Sequence, residues 1–279
     1  MSRRMMEAFA RDLGELRHEP IHKRIRALAG EQLVVDTTRA LLVWEPRRVV
    51  PSYAAPLDDV HGELVPAAPS RNSAEPVGHR MDALPNQMVL DPSIPFERHT
   101  ADGEPLSLAT PGERREHVAF RPADADLGGH VILDFKGFDA WFEEDEQVFA
   151  HARDPFHSMD ILPSSRHVRI ELDGELLAET SRSRLLFEGT LLPPRAYIPL
   201  EDVRVPLQPS TKQTWCAYKG RASYWSAEVA GESVPDLAWS YAAPLGAAIE
   251  ITGLIAFFNE RVDLILDGEP LQRPVTPWS

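Results

Sequence analysis

The stretch VVDTTRALLVWEPRRVVPSYAAPLDDV, residues 34–60, lies without a gap over LAETSRSRLLFEGTLLPPRAYIPLEDV, residues 177–203. The offset is 143 positions, and the match extends over residues 22–64 against 165–207. Thr37 falls on Thr180, Arg39 on Arg182, Glu45 on Glu188 and Pro51 on Pro194. Pro56, Leu57, Asp59 and Val60 fall on Pro199, Leu200, Asp202 and Val203. Self-similarity at a fixed period has to be settled before any element is read. It predicts an internal duplication, with a first copy over residues 1–160 and a second over 161–279. The first copy is the divergent one. It carries a polar, Pro-rich excursion at about residues 66–98, whose clusters PAAPSRNSAEP and LDPSIPFE read as surface chain.

Working outward, the pattern is that of short strands. Residues 167–172 alternate strictly, and Asp173-Gly174 makes a tight turn before residues 175–178, which predicts a hairpin. Residues 184–187 and 196–198 read as further strands, and 224–229 as another that turns at Ala230-Gly231. Residues 249–258 have either strand or short-helix character. Helix is expected at 5–16, at the acidic stretch 138–148, and in short turns such as 200–203. Each copy is therefore expected to be a small all-β domain.

Composition bounds the function. The chain has 279 residues with 29 Lys plus Arg against 43 Asp plus Glu, a formal charge of −14. That balance argues against sequence-independent nucleic-acid binding, which needs clustered cations. A single Cys excludes a disulfide framework and multi-Cys zinc sites. The first residues lack the apolar core of a secretory signal, and residues 249–258 are too short to span a bilayer, so a cytoplasmic location without membrane contact is expected. The short linker favours packing of the two halves within the chain.

The densest chemistry is WCAYKGRASYW, residues 215–225. It reads either as a pocket wall, with aromatic faces and Lys219 or Arg221 for an anionic or carbonyl group, or as a hairpin whose aromatics fill the core. Cys216 is a nucleophile if Lys219 or Arg221 favours its thiolate, and otherwise a buried inert thiol. Arg39 and Arg182, each followed by a Glu at the same distance, read as anion-binding groups or as internal Arg–Glu pairs that fix strand ends. His79, His99, His117, His130, His151 and His157 match no ligand spacing, so no metal and no cofactor are expected. Glycine-rich phosphate loops and the hydrolase elbow are absent.

Thr180 and Arg182, Tyr197 to Val203, Cys216 to Gly220, Ala238 to Tyr241 and Gly253 to Phe257 together resemble domain of unknown function family 427. That family carries a nucleotidyltransferase-like label; here Ala217 stands where it usually has Pro. The tandem arrangement is similar to a two-copy subgroup. The resemblance implies a fold of the β-tent kind. Many proteins of that kind hold a structural zinc through two C-x-x-C pairs, and this sequence has neither. The label gets no support, because the paired-Asp arrangement of nucleotidyltransferases is missing.

Three functions follow as expectations. The first is a small-molecule binding module whose second copy holds an aromatic-lined pocket built from Arg182, Tyr197, Lys219, Tyr224, Trp225, Trp239 and Tyr241. The second is an enzyme acting through Cys216, Lys219 or Tyr218 on a small organic or nucleotide-like substrate. The third is a structural or adaptor protein.

Overall fold

The computed structural model describes residues 2–68, 77–189 and 191–279; part of the Pro-rich excursion, residues 69–76, lies outside them. Contacts divide the chain into two compact units. One holds Met1–His79 and Asn86–Pro155, the other Arg80–Pro85 and Phe156–Ser279.

The first unit has a seven-stranded sheet in the order Arg17–Pro20, Leu41–Trp44, Ser52–Pro56, His130–Leu133, Glu113–Pro122, Gly103–Thr110, Glu63–Pro66. In the second unit the order is Met159–Ser164, Ser183–Glu188, Arg195–Ile198, Ile255–Phe257, Glu232–Ser240, Gly220–Val229, Leu207–Cys216. Each unit adds a four-stranded sheet. That of the first runs Glu146–Val148, Ala140–Glu143, Ile25–Ala29, Gln32–Thr37. That of the second runs Glu269–Pro270, Asp263–Leu266, Val168–Leu172, Glu175–Thr180. All these pairings are antiparallel. The molecule is all-β with few short helices, as the alternating patterns predict.

In each unit the main core lies between the two sheets, because strand alternation sends every second side chain to that face. In the second unit Val168 and Ile170 meet Ile198, Ala227, Ala238 and Phe257 there. The outer face of its seven-stranded sheet carries a second cluster, with Leu186, Tyr197, Trp239, Tyr241 and Phe258. The first unit has a smaller outer cluster around Val43, Ala54, Phe120 and Ile132.

Turn chemistry sets the register where it was expected to. Asp173 and Gly174 both take positive φ, 52° and 82°, as the mirror-image hairpin turn requires. The helix expected at 5–16 is Met5–Asp12. The helix expected at 138–148 is instead the hairpin Ala140–Glu143 and Glu146–Val148. The reason is burial with period two: Trp141 and Glu143 point inward, and Glu144 at φ 51° makes the turn. Residues 249–258 divide between a 3₁₀ turn, Gly246–Ile251, and the strand Ile255–Phe257.

The segment Arg80–Pro85 comes from the excursion yet belongs to the second unit. Asp82 N–H donates to the Val275 carbonyl (3.1 Å), and Val275 N–H donates to Asp82 Oδ2 (2.8 Å). Thr276 Oγ1 in turn donates to the buried Glu260 (2.7 Å), which holds Arg195 in a bidentate pair at 2.7 and 2.6 Å. Among the described residues no helix is long and apolar enough to cross a membrane.

Candidate functional site

The hairpin of Leu207–Cys216 and Gly220–Val229 closes through Ala217, Tyr218 and Lys219, with Cys216 in register with Gly220 at φ 89°. This loop does not offer Lys219 to solvent. Lys219 is buried and its Nζ pairs with Glu188, at the end of the strand Ser183–Glu188. Both side chains are about nine-tenths buried, with exposures of 9% and 10%. His157 brings its Nε2 to 3.4 Å from the same carboxylate and stacks on Tyr218, with centroids 4.0 Å apart at 15°. Tyr218 N–H donates to Cys216 Sγ at 3.5 Å, and the thiol is partly exposed.

The electrostatics of this corner are those of a committed ion pair. Burial opposes the Glu188 carboxylate, but the Lys219 charge and then His157 outweigh it and lower its pKa to about 2. Burial likewise opposes the Lys219 ammonium, and the neighbouring Cys216, Glu188 and Tyr197 more than restore it, holding it above its ordinary value. Lys219 therefore serves as a fixed cation; an amine nucleophile would first have to lose that proton.

Next to the pair lies the outer face of the seven-stranded sheet. Tyr224 stands opposite Trp239, Trp239 opposite Ala256, and Ala256 opposite Tyr197, forming one cross-strand row. Trp239 Nε1–H donates to the Tyr197 hydroxyl at 3.0 Å. Burial pushes the Tyr197 hydroxyl up to about 12 and that of Tyr241 well above its usual value. Arg195 lies over the Trp239 ring at 5.5 Å, and Lys212 lies 4.5 Å from the Tyr224 centroid.

The seven predicted binding residues thus fall in three places. Tyr197, Tyr224, Trp239 and Tyr241 share the outer face, with Lys219 at its edge. Trp225 packs against the inter-sheet core and donates to Ser240 Oγ (2.9 Å), because neighbours on a strand point to opposite faces. Arg182 is 59% exposed and pairs with Asp202 (3.0 Å) and Glu201 (2.9 Å).

The Arg–Glu pairing expected between Arg182 and Glu188, and between Arg39 and Glu45, does not form. Six residues along an extended strand span about 20 Å, too far for one side chain to reach the other. Instead Thr180 and Arg182 both bond Asp202, and in the first unit Thr37 (2.6 Å) and Arg39 (2.8 Å) both bond Asp59. Glu45, which the 143-residue offset sets over Glu188 in the sequence, accepts from Thr100 N–H (2.8 Å) and lies 3.1 Å from His99 Nδ1. His99 also stacks on Phe120 at 3.8 Å.

Sequence reasoning did not place His157 or Glu188 in the site. The usable signal for Glu188 was its spacing from Arg184 and Leu186, which puts it on the face of Leu186 and Tyr197. Two open depressions, of about 360 and 490 Å³, lie around Arg182 rather than the aromatic row. Among the described residues no group of three His, Cys, Asp or Glu is placed to hold a metal ion.

No curated protein matches the sequence. Residues 160–268 match the family model NTP_transf_9, domain of unknown function DUF427.

Proposed function

We propose that the second unit is a small-molecule binding module whose site lies where the loop Ala217-Tyr218-Lys219 meets the aromatic outer face. The observation that carries this reading is the Lys219–Glu188 pair, buried beside Cys216 and the His157–Tyr218 stack. A buried ion pair adds little net stability over well-packed apolar residues. Its placement next to a partly exposed thiol and tyrosine is better accounted for by a ligand that meets this corner.

The chain is read here as two copies of one fold. The offset of 143 residues and the common strand order support that reading. In the first copy the corresponding carboxylate, Glu45, is satisfied by Thr100, Ala101 and His99 of the same unit. That corner is filled by its own chain, which leaves ligand binding to the second copy.

The test is a fragment screen by ligand-observed NMR on wild type, Tyr218→Ala and Tyr224→Ala. Fragments that bind wild type and are lost in both variants support the site. A hit set unchanged by both variants overturns it. A catalytic reading is favoured only by Cys216 standing next to Lys219, with Cys216 as the nucleophile.

A further inference from the structure

On the outer face of the second unit's seven-stranded sheet, two groups carry hydrogen-bonding capacity that the fold leaves unused. Tyr241 follows Trp239 by two residues and Glu188 follows Leu186 by two, so strand alternation sends both side chains to that face. The backbone of Tyr241 is fixed just past its strand, where its carbonyl accepts from Gly253 N–H at 2.9 Å. The residue is 5% exposed and belongs to the cluster of Tyr197, Trp239 and Leu186.

The Tyr241 hydroxyl makes no hydrogen bond among the described residues. Unlike Ser183 Oγ, which is unpartnered and sealed from solvent, it keeps accessible surface. A hydroxyl placed so deeply without a partner is unfavourable, and phenylalanine at this position would avoid the cost. Burial first, and then the neighbouring Tyr197, Cys216 and Glu188, push its pKa well above the usual value, so it stands near the carboxylate as a donor. On Glu188 both partners meet one oxygen, since Lys219 Nζ and His157 Nε2 approach Oε1. Oε2 accepts no hydrogen bond among the described residues and also keeps accessible surface. The corner therefore presents one unused donor and one unused acceptor, beside a Lys219 charge already committed to Glu188.

We infer that this corner recognises the uncharged carboxamide group of a small organic ligand, whose carbonyl oxygen accepts from the Tyr241 hydroxyl and whose N–H donates to Glu188 Oε2. A carboxamide carries one acceptor and one donor on neighbouring atoms, the complement of what the corner leaves open. A carboxylate has no proton to give Oε2 and would meet it with like charge. The inference rests on the reading of this corner as a ligand site and adds the chemical group that the site selects.

Ligand-observed NMR titrations on the full chain test it with benzamide and benzoate, which share a ring and differ in the group presented. Wild type should bind benzamide at least about tenfold more tightly than benzoate. Tyr241→Phe should weaken benzamide by about threefold to tenfold. Without ligand, the same variant should keep or raise the thermal midpoint, because the hydroxyl makes no bond within the protein. A lowered midpoint would show that the fold already uses this hydroxyl, and overturns the inference. So does benzamide that fails to bind wild type, binds no better than benzoate, or binds Tyr241→Phe equally well. Fragments lost in Tyr218→Ala and Tyr224→Ala but indifferent to Tyr241→Phe leave the site standing and remove only its preference for carboxamides; a wild type that binds no fragment removes both.

Discussion

At the scale of single residues, the buried Lys219–Glu188 pair is sensitive to the loss of either partner. Lys219→Met leaves a carboxylate buried without its cation and should cost about 3–5 kcal/mol of unfolding free energy. The double variant Lys219→Met with Glu188→Leu should recover most of that loss, since two apolar residues can replace a buried pair. Urea unfolding of the single and double variants reads both; equal losses would mean the pair is not energetically coupled. The pH dependence follows from the same pair. Glu188 has a pKa of about 2 when folded, against 4.5 for an ordinary glutamate, so the unfolded chain binds more protons between those values. Its contribution is complete above pH 4.5 and is lost as pH falls towards 2, on the order of 3 kcal/mol in all. Glu188→Gln should flatten the acid limb of the stability curve, and an unchanged limb would assign acid unfolding to other carboxylates.

At the scale of elements, alternation decides which aromatics do what. Tyr224 and Trp225 are neighbours in sequence and were both expected in one pocket, yet they lie on opposite faces of one strand. Trp225→Ala opens the inter-sheet core and should cost about 3 kcal/mol, while Tyr224→Ala, on the half-buried outer face, should cost about 1 kcal/mol. Denaturant midpoints of the two variants check this, and equal costs would contradict the assignment of faces. Strands and turns were legible where period two coincided with Asp-Gly or Ala-Gly turns, as at Asp173-Gly174. The hairpin around Glu144 was not, because four acidic positions in a row conceal which carboxylate is buried. Glu143 turns inward to accept from the Tyr53 hydroxyl (2.8 Å) and from Lys23 Nζ (2.8 Å), a partnership 90 to 120 residues distant in sequence. Long-range partners of this kind leave no local pattern. The same holds for His157, whose approach to Glu188 depends on two strand ends meeting.

At the scale of the whole molecule, the 143-residue offset is a property of the sequence itself, carried by matched punctuation such as Pro56 and Pro199 or Asp59 and Asp202. The face that each aromatic takes was less legible, since a count of aromatics does not say on which side of a strand each one falls. Charge acts at this scale too. With 43 acidic against 29 basic residues, self-repulsion should outweigh the screening of surface ion pairs. Raising sodium chloride from about 0.05 to 0.5 M should therefore raise the thermal midpoint by a few degrees. A fall would show that exposed pairs such as Arg24–Asp36 and Arg182–Asp202 contribute more than net charge does.

The placement of Arg80–Pro85 in the second unit has a practical consequence. The chain leaves its first unit, contributes six residues to the second, returns, and leaves again at Pro155. A fragment that starts at Phe156 would thus be missing a piece of its own body. Val275 would lose both hydrogen bonds to Asp82, one residue from the Thr276 that caps the buried Glu260. A linear cut cannot separate these units cleanly; a peptide of residues 80–85 supplied in trans, or grafted onto the fragment, is what would complete it.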